Sequence, residues 1–135
     1  MSRHESREQA FCLLFEKDFK DETLEEIIES AQLARDIEVS DFTKEIFNGV
    51  IDNKSKINEL IEKNLIGWKI SRLSKVTLNI LRIAIYEILF VKDIPINVSI
   101  NEAVEISKIY TTEEDTKFIN GILSTICKDL ETLNV

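Results

Sequence analysis

The sequence has little of what tight turns and active sites are built from. Three glycines and one proline among 135 residues are too few for the hairpin turns of an all-β fold. A single histidine, His4, excludes a His-based triad or a multi-His metal site within this chain. The two cysteines, Cys12 and Cys127, lack CxxC spacing and companion ligands, so no metal site is expected. Both are expected to be small buried apolar residues. Two thiols and no signal-like N-terminus fit a reducing cytoplasm. A disulfide between them would need their Cα atoms within roughly 7 Å. No apolar stretch reaches the roughly 20 residues of a membrane span, and residues 80–91 are interrupted by Arg82 and Glu87. Gly49, Gly67 and Gly121 are isolated and form no phosphate-binding loop. The carboxylates fall on exposed helix positions without forming an acid/base pair. No enzyme activity and no cofactor are expected.

What remains is a globular, helical composition. Hydrophobic residues make up 44% and charged residues 31% of the chain, which suits a folded domain. The length fits one domain that buries about two thirds of the surface its unfolded chain exposes. The net charge is −8, with most of the acid excess in residues 1–68. Such a chain does not attract a polyanion through its overall field, so any nucleic-acid site must be local.

Apolar residues recur at helical spacing throughout. Ala10, Phe11, Leu14 and Phe15 predict a first helix over 3–19. Thr23, with Glu26 three residues on, predicts a capping box for a second, striped by Leu24, Ile27, Ile28, Ala31 and Ala34. Ser40 predicts the cap of one long third helix to about residue 65. Gly49 inside it costs about 1 kcal/mol against Ala and points to a close helix contact. Residues 76–91 are apolar almost all round, which predicts a central helix enclosed by the others. Before it, Lys69, Arg72 and Lys75 are spaced for a helical turn. Ile94-Pro95 fixes a loop, and Asn97 is the expected cap of the next helix. Thr111 to Asp115 contains two overlapping cap patterns for the last one.

The second half carries a more specific signal. Arg72-Leu73-Ser74-Lys75-Val76 precedes Ile80-Leu81-Arg82-Ile83-Ala84-Ile85-Tyr86-Glu87-Ile88-Leu89. Then come Asp93-Ile94-Pro95, Ile100-Asn101-Glu102-Ala103-Val104-Glu105, and Lys117-Phe118-Ile119-Asn120-Gly121-Ile122-Leu123. This ordered series resembles the NusB transcription-antitermination family. Arg7-Glu8-Gln9-Ala10-Phe11 is similar to the family's first helix. Residues 20–65 match only in pattern.

The resemblance implies an all-α, NusB-like fold of about seven helices in two packed three-helix subdomains, with residues 1–68 and 69–135 as its halves. It implies a transcription antitermination factor that binds boxA-type single-stranded RNA of rRNA transcripts. It also implies pairing with the ribosomal protein NusE within an RNA polymerase antitermination complex. Self-association over the RNA surface is a further state seen in the family.

The resemblance assigns RNA contact to the basic arm Arg3, His4 and Arg7, here interrupted by Glu5 and Glu8, and to Phe15, Tyr110, Lys117 and Phe118. Bases stack on aromatic faces and lysines neutralise phosphate. Periodicity alone leaves Phe15 and Phe118 between core and surface, whereas the Tyr110 hydroxyl calls for a wet end. Partner contact falls to Arg72, Thr77, Leu78, Arg82 and Glu114. At Thr77 and Leu78 the family usually has an acidic and then a basic residue. Asn101, Glu102, Asn120 and Gly121 are motif residues with expected structural roles: the amides bonding buried backbone, the glycine permitting close packing. Two rival readings are a NusB-like interaction module without RNA binding and an accessory to an rRNA-modifying enzyme.

Overall fold

The computed structural model describes residues 1–35, 38–67 and 69–133. It contains seven α-helices and one 3₁₀ turn among the described residues. They are α1 (Arg3–Phe19), α2 (Leu24–Arg35), α3 (Asp41–Asp52), α4 (Lys54–Lys63), the 3₁₀ turn (Ile70–Arg72), α5 (Lys75–Phe90), α6 (Ile96–Tyr110) and α7 (Glu113–Leu133).

Local chemistry sets most of the boundaries. Ser2 and Glu5 close a capping box at the start of α1, and Thr23 and Glu26 do the same before α2. The Ser40 hydroxyl accepts the Thr43 N–H at 3.0 Å to begin α3, and Ser74 accepts the Thr77 N–H at 3.1 Å to begin α5. Each satisfies a donor that the first helical turn leaves free. The Thr112 hydroxyl accepts the Asp115 N–H at 3.1 Å, so the second of the two overlapping cap patterns is the one used on the backbone.

Two boundaries depart from the sequence reading. The expected long third helix is two helices that break at Asn53, which has φ −113° and ψ 16°. The Asn53 side-chain amide and backbone N–H both donate to the Gly49 carbonyl, at 2.8 and 3.1 Å. A short amide side chain that competes for the backbone in this way ends a helix. Periodicity is blind to the break because the buried Val50 and Ile57 lie two turns apart, in phase. In α6 the cap is Pro95, not Asn97. The Pro95 carbonyl accepts the Val98 and Ser99 N–H groups at 3.0 and 3.3 Å, and Asn97 lies exposed within the first turn.

Helix α5 is the centre, as its all-round apolar sequence predicts. It packs against α1, α3, α4, α6 and α7, and every residue from Asn79 to Glu87 is buried. Gly49 of α3 meets the Tyr86 ring of α5: a Cβ built on it would lie 2.1 Å from Cε1. The close contact expected at this glycine is therefore present. Gly121 differs, because it is exposed and a Cβ there would meet nothing within 4 Å. The motif amides Asn101 and Asn120 are likewise exposed, so no buried backbone is satisfied by them. Cys127 is buried, but Cys12 is exposed, contrary to expectation, and both are free thiols. Among the described residues no helix is long and apolar enough to cross a membrane.

Candidate nucleic-acid interface

Aromatic rings line up along α1. Tyr110, at the end of α6, meets Phe11 at 4.8 Å between centroids. Phe11 stacks near Phe15 at 6.2 Å, and Phe15 meets Phe19 edge-on at 5.0 Å. The Lys75 ammonium, at the start of α5, stands 5.7 Å from the Phe19 ring. Helical spacing of four residues puts the three phenylalanines in one row, and α6 supplies the tyrosine. Phe11 is buried, Phe15 is half-buried, and Phe19 and Tyr110 are exposed. The sequence reading named Phe15 and Tyr110 but missed Phe11, Phe19 and Lys75. The i, i+4 register of Phe11 and Phe19 with Phe15 was the available signal, whereas Lys75 reaches the row only through the packing of α5 against α1.

The Tyr110 hydroxyl donates to Glu8 at 2.6 Å and lies 3.6 Å from the Cys12 sulfur. Donating to the Glu8 carboxylate raises the Tyr110 pKa well above the usual phenol range, with burial adding to the effect. The ring is thereby tethered at its wet end to α1.

A cavity of about 350 Å³ opens beside the starts of α5 and α7. Arg72, Thr77, Glu114, Asp115 and Phe118 line it, with Leu73 and Ser74. It therefore gathers three residues expected at the partner surface with Phe118, a ring expected at the RNA. Lys117 stands nearby on the same helix turn, highly exposed, with the exposed Glu113 at 3.8 Å. Arg72 and Glu114 are exposed, Leu78 and Phe118 half-buried, and Thr77 buried at 3%.

Two expected contacts are corrected by burial. Arg7 is 3% exposed, and its Nε donates to both oxygens of Glu87, at 3.0 and 2.8 Å. It is a structural cation inside the α1–α5 contact and has no surface to offer a phosphate. Arg82 is 6% exposed and donates to Asn58 and Asn79 at 3.1 and 3.4 Å, so it does not join Arg72 and Glu114 at the partner surface.

Arg3 and His4 stay near the surface, but at the other end of α1. The span from Arg3 to Phe15 is about 18 Å at 1.5 Å per residue. Arg3 pairs with the exposed Asp93 at 3.2 Å and lies 4.6 Å from the Phe42 ring. His4 Nδ1 meets the Glu102 carboxylate at 2.5 Å. Glu102 of the motif quartet thus does structural work, as it also lies 3.9 Å from Arg7 Nη1.

The His4–Glu102 contact has a pH signature. The hydrogen bond to Glu102 raises the His4 pKa, partly opposed by burial. A raised folded pKa contributes stability that is complete below the unfolded value near 6.5 and is lost as pH rises through the folded value. Thermal melts of wild type and His4→Gln should therefore differ more at pH 5.5 than at pH 8.5. Equal differences at both would mean that the imidazolium contributes nothing.

Among the described residues no group of three or more His, Cys, Asp or Glu could hold a metal. The site has instead rings, scattered cations and a shallow cavity, which suit binding without catalysis. The chain is similar along nearly its whole length to known proteins. The transcription antitermination protein NusB of Bacillus licheniformis is 44% identical over 132 residues, covering 97% of this chain and 100% of the relative. The solved NusB of T. maritima superposes with a TM-score of 0.83 at 40% identity, covering 100% of this chain and 99% of that one. A chain from a complex of antitermination factors NusB and NusE with double-stranded RNA superposes at 0.81 with 29% identity, covering 96% and 99%. The NusB family pattern matches residues 4–128, and the chain belongs to the NusB family of transcription antitermination proteins.

Proposed function

We propose that this chain binds boxA-type RNA of rRNA transcripts together with NusE, in the cytoplasm, as part of an antitermination complex on RNA polymerase. The observation that carries this reading is the row Tyr110–Phe11–Phe15–Phe19 running toward Lys75, together with the Phe118 cavity at the start of α7. Exposed and half-exposed rings favour unpaired bases, because every base offers a face to stack on. The related complex of NusB and NusE with RNA supports both partners. Arg3 and Lys117 supply phosphate contacts. The carboxylate on each is an exposed ion-pair partner, worth about 0–1 kcal/mol, so a phosphate can replace it, with Arg3 still resting on the Phe42 ring. Glu114 and Arg72 present charge of both signs to NusE beside the same cavity, with the half-buried Leu78 as the uncharged part of that contact; Thr77, buried at 3%, lines the cavity but offers little surface of its own.

The test is binding of a fluorescent boxA-like RNA with and without NusE, against scrambled and duplex RNA, at two salt concentrations. Selective binding that NusE strengthens is expected. Phe118→Ala should weaken it by about 1–3 kcal/mol, the worth of one stacked base. Arg3→Glu should weaken all sequences alike and flatten the salt dependence. Equal affinity for boxA-like and scrambled RNA, even beside a NusE that demonstrably binds, would refute the RNA reading. That result would favour an interaction module, for which the carboxylate partners already on Arg3, His4 and Arg7 speak.

A further inference from the structure

A second cavity of about 350 Å³ lies where the end of α1 meets the α3–α4 junction and α5. In a chain of net charge −8, its ionisable lining is predominantly cationic: Lys17, Lys20, Lys54 and Arg82 against Asp18 and Asp21. Four helical elements contribute, so the cluster is a product of packing and not of one basic run.

Arg82 is the most deeply buried cation of this lining. Buried cations in proteins are paired with carboxylates or other anions, because desolvating an unpaired charge costs several kcal/mol. Arg82 is 6% exposed, yet among the described residues no carboxylate oxygen lies within 4.0 Å of it. Its partners are the neutral side-chain carbonyls of Asn58 and Asn79. Asn79 stands between Arg82 and the nearest acid: its amide group donates to Asp18 at 2.7 Å. The remaining N–H groups of the guanidinium fork are left for a ligand.

The lysines lie nearer the solvent, Lys17 half-buried and Lys20 and Lys54 exposed at the cavity. Lys54 likewise has no carboxylate within 4.0 Å among the described residues. Burial and then the charge of Arg82 depress its pKa, with Lys17 and Lys75 adding to the repulsion and Asp18 opposing it. Burial depresses Arg82 as well, with the Asp18 charge opposing it. Lys17 donates to the neutral Glu22 carbonyl at 2.9 Å, whereas Lys20 is paired with Glu16 at 3.4 Å in a surface contact that a phosphate can replace.

We propose that this cavity binds a phosphate group, with the Arg82 fork and the Lys54 ammonium as primary contacts and Lys17 and Lys20 completing the site. Converging cations suit a tetrahedral phosphate, whose several oxygens they can share, better than a single carboxylate, which one guanidinium satisfies. The volume is many times the roughly 30 Å³ of a water, so the phosphate can be part of a larger molecule. Its source is either a nucleic-acid backbone or a free phosphate, and the site stands independently of the RNA contacts proposed for Arg3, Lys117 and Phe118.

The experiment is a thermal melt of the full chain in potassium phosphate against potassium chloride at matched ionic strength and pH 7.5. Wild type should gain a saturable rise in Tm with phosphate. Lys54→Gln should weaken the apparent phosphate affinity by about tenfold or more, as for one lost charge-assisted contact. Lys63→Gln, on the same helix but outside the cavity, should keep the full rise. Because Arg82 variants risk unfolding, Arg82 is followed in the wild type by NMR: its side-chain and Asn79 amide signals should shift with added phosphate. No saturable rise in wild type, or a rise that Lys54→Gln leaves intact, would overturn the proposal. A parallel titration with the boxA-like RNA separates the sources. If Lys54→Gln also loses RNA affinity and phosphate competes with RNA, the occupant is a backbone phosphate. If RNA affinity is unchanged while the phosphate response is lost, the occupant is a free phosphate. A wild type that binds no RNA yet answers to phosphate would refute the RNA reading alone.

Discussion

Arg7→Met should destabilise this protein by about 3–5 kcal/mol, the cost of leaving one member of a buried ion pair unpartnered. That corresponds to a fall in Tm on the order of 10–20 °C for a domain of this size. The Glu87 side chain is 1% exposed. Its carboxylate accepts from Arg7 Nε through both oxygens and from the Ser99 hydroxyl at 3.2 Å. Without the guanidinium, a negative charge remains inside the most apolar helix of the chain, with one hydroxyl for company. Replacing both residues, as in Arg7→Met with Glu87→Met, should recover most of the loss, because apolar side chains of similar volume avoid the desolvation that the pair must overcome. Urea unfolding of the two single variants and the double variant measures this coupling directly. A stability change within about 0.5 kcal/mol for Arg7→Met, the range of ordinary surface substitutions, would mean that Arg7 turns outward in solution and is free to meet RNA.

Gly49→Ala should destabilise by about 1–3 kcal/mol, as overpacking does in a filled core. Helix propensity pulls the other way, since Ala is favoured over Gly by about 1 kcal/mol in a helix interior. The steric effect wins because the new methyl would sit 2.1 and 2.2 Å from Cε1 and Cζ of Tyr86. The ring is only 8% exposed and packs against Phe90 at 5.4 Å, so it has little room to turn aside. Removing the obstacle tests the cause: in a Tyr86→Ala background, Gly49→Ala should become neutral or stabilising. Gly121→Ala, with open space around it, should stabilise by up to about 1 kcal/mol. If Gly49→Ala and Gly121→Ala both stabilise, the contact between α3 and the Tyr86 ring is looser than the distances state.

Much of this protein was legible along the chain because the relevant interactions are short-range. The stripe of each helix is set by residues three and four apart. The caps at Thr23, Ser40 and Thr112 bond backbone groups three residues on, and the length of the all-round apolar stretch 76–91 favours a central helix over the buried strand that its β-branched residues also suggest. The family motif added which surfaces to look at, and Arg72, Thr77, Glu114 and Phe118 do line one cavity. Only the tertiary structure decided which charges are available. Arg7 looks like one more residue of a basic arm until α1 lies along α5 and the Glu87 carboxylate, 80 positions away, takes it inside. Arg82 reads as a surface cation beside a partner site until α1, α4 and α5 close around it and leave it facing a cavity with Lys54. Cys12 reads as core until the turn of α1 carries it outward beside Tyr110. Periodicity records which side of a helix is buried. The partner that a buried charge finds depends on which faces meet, and that is a property of the packed whole.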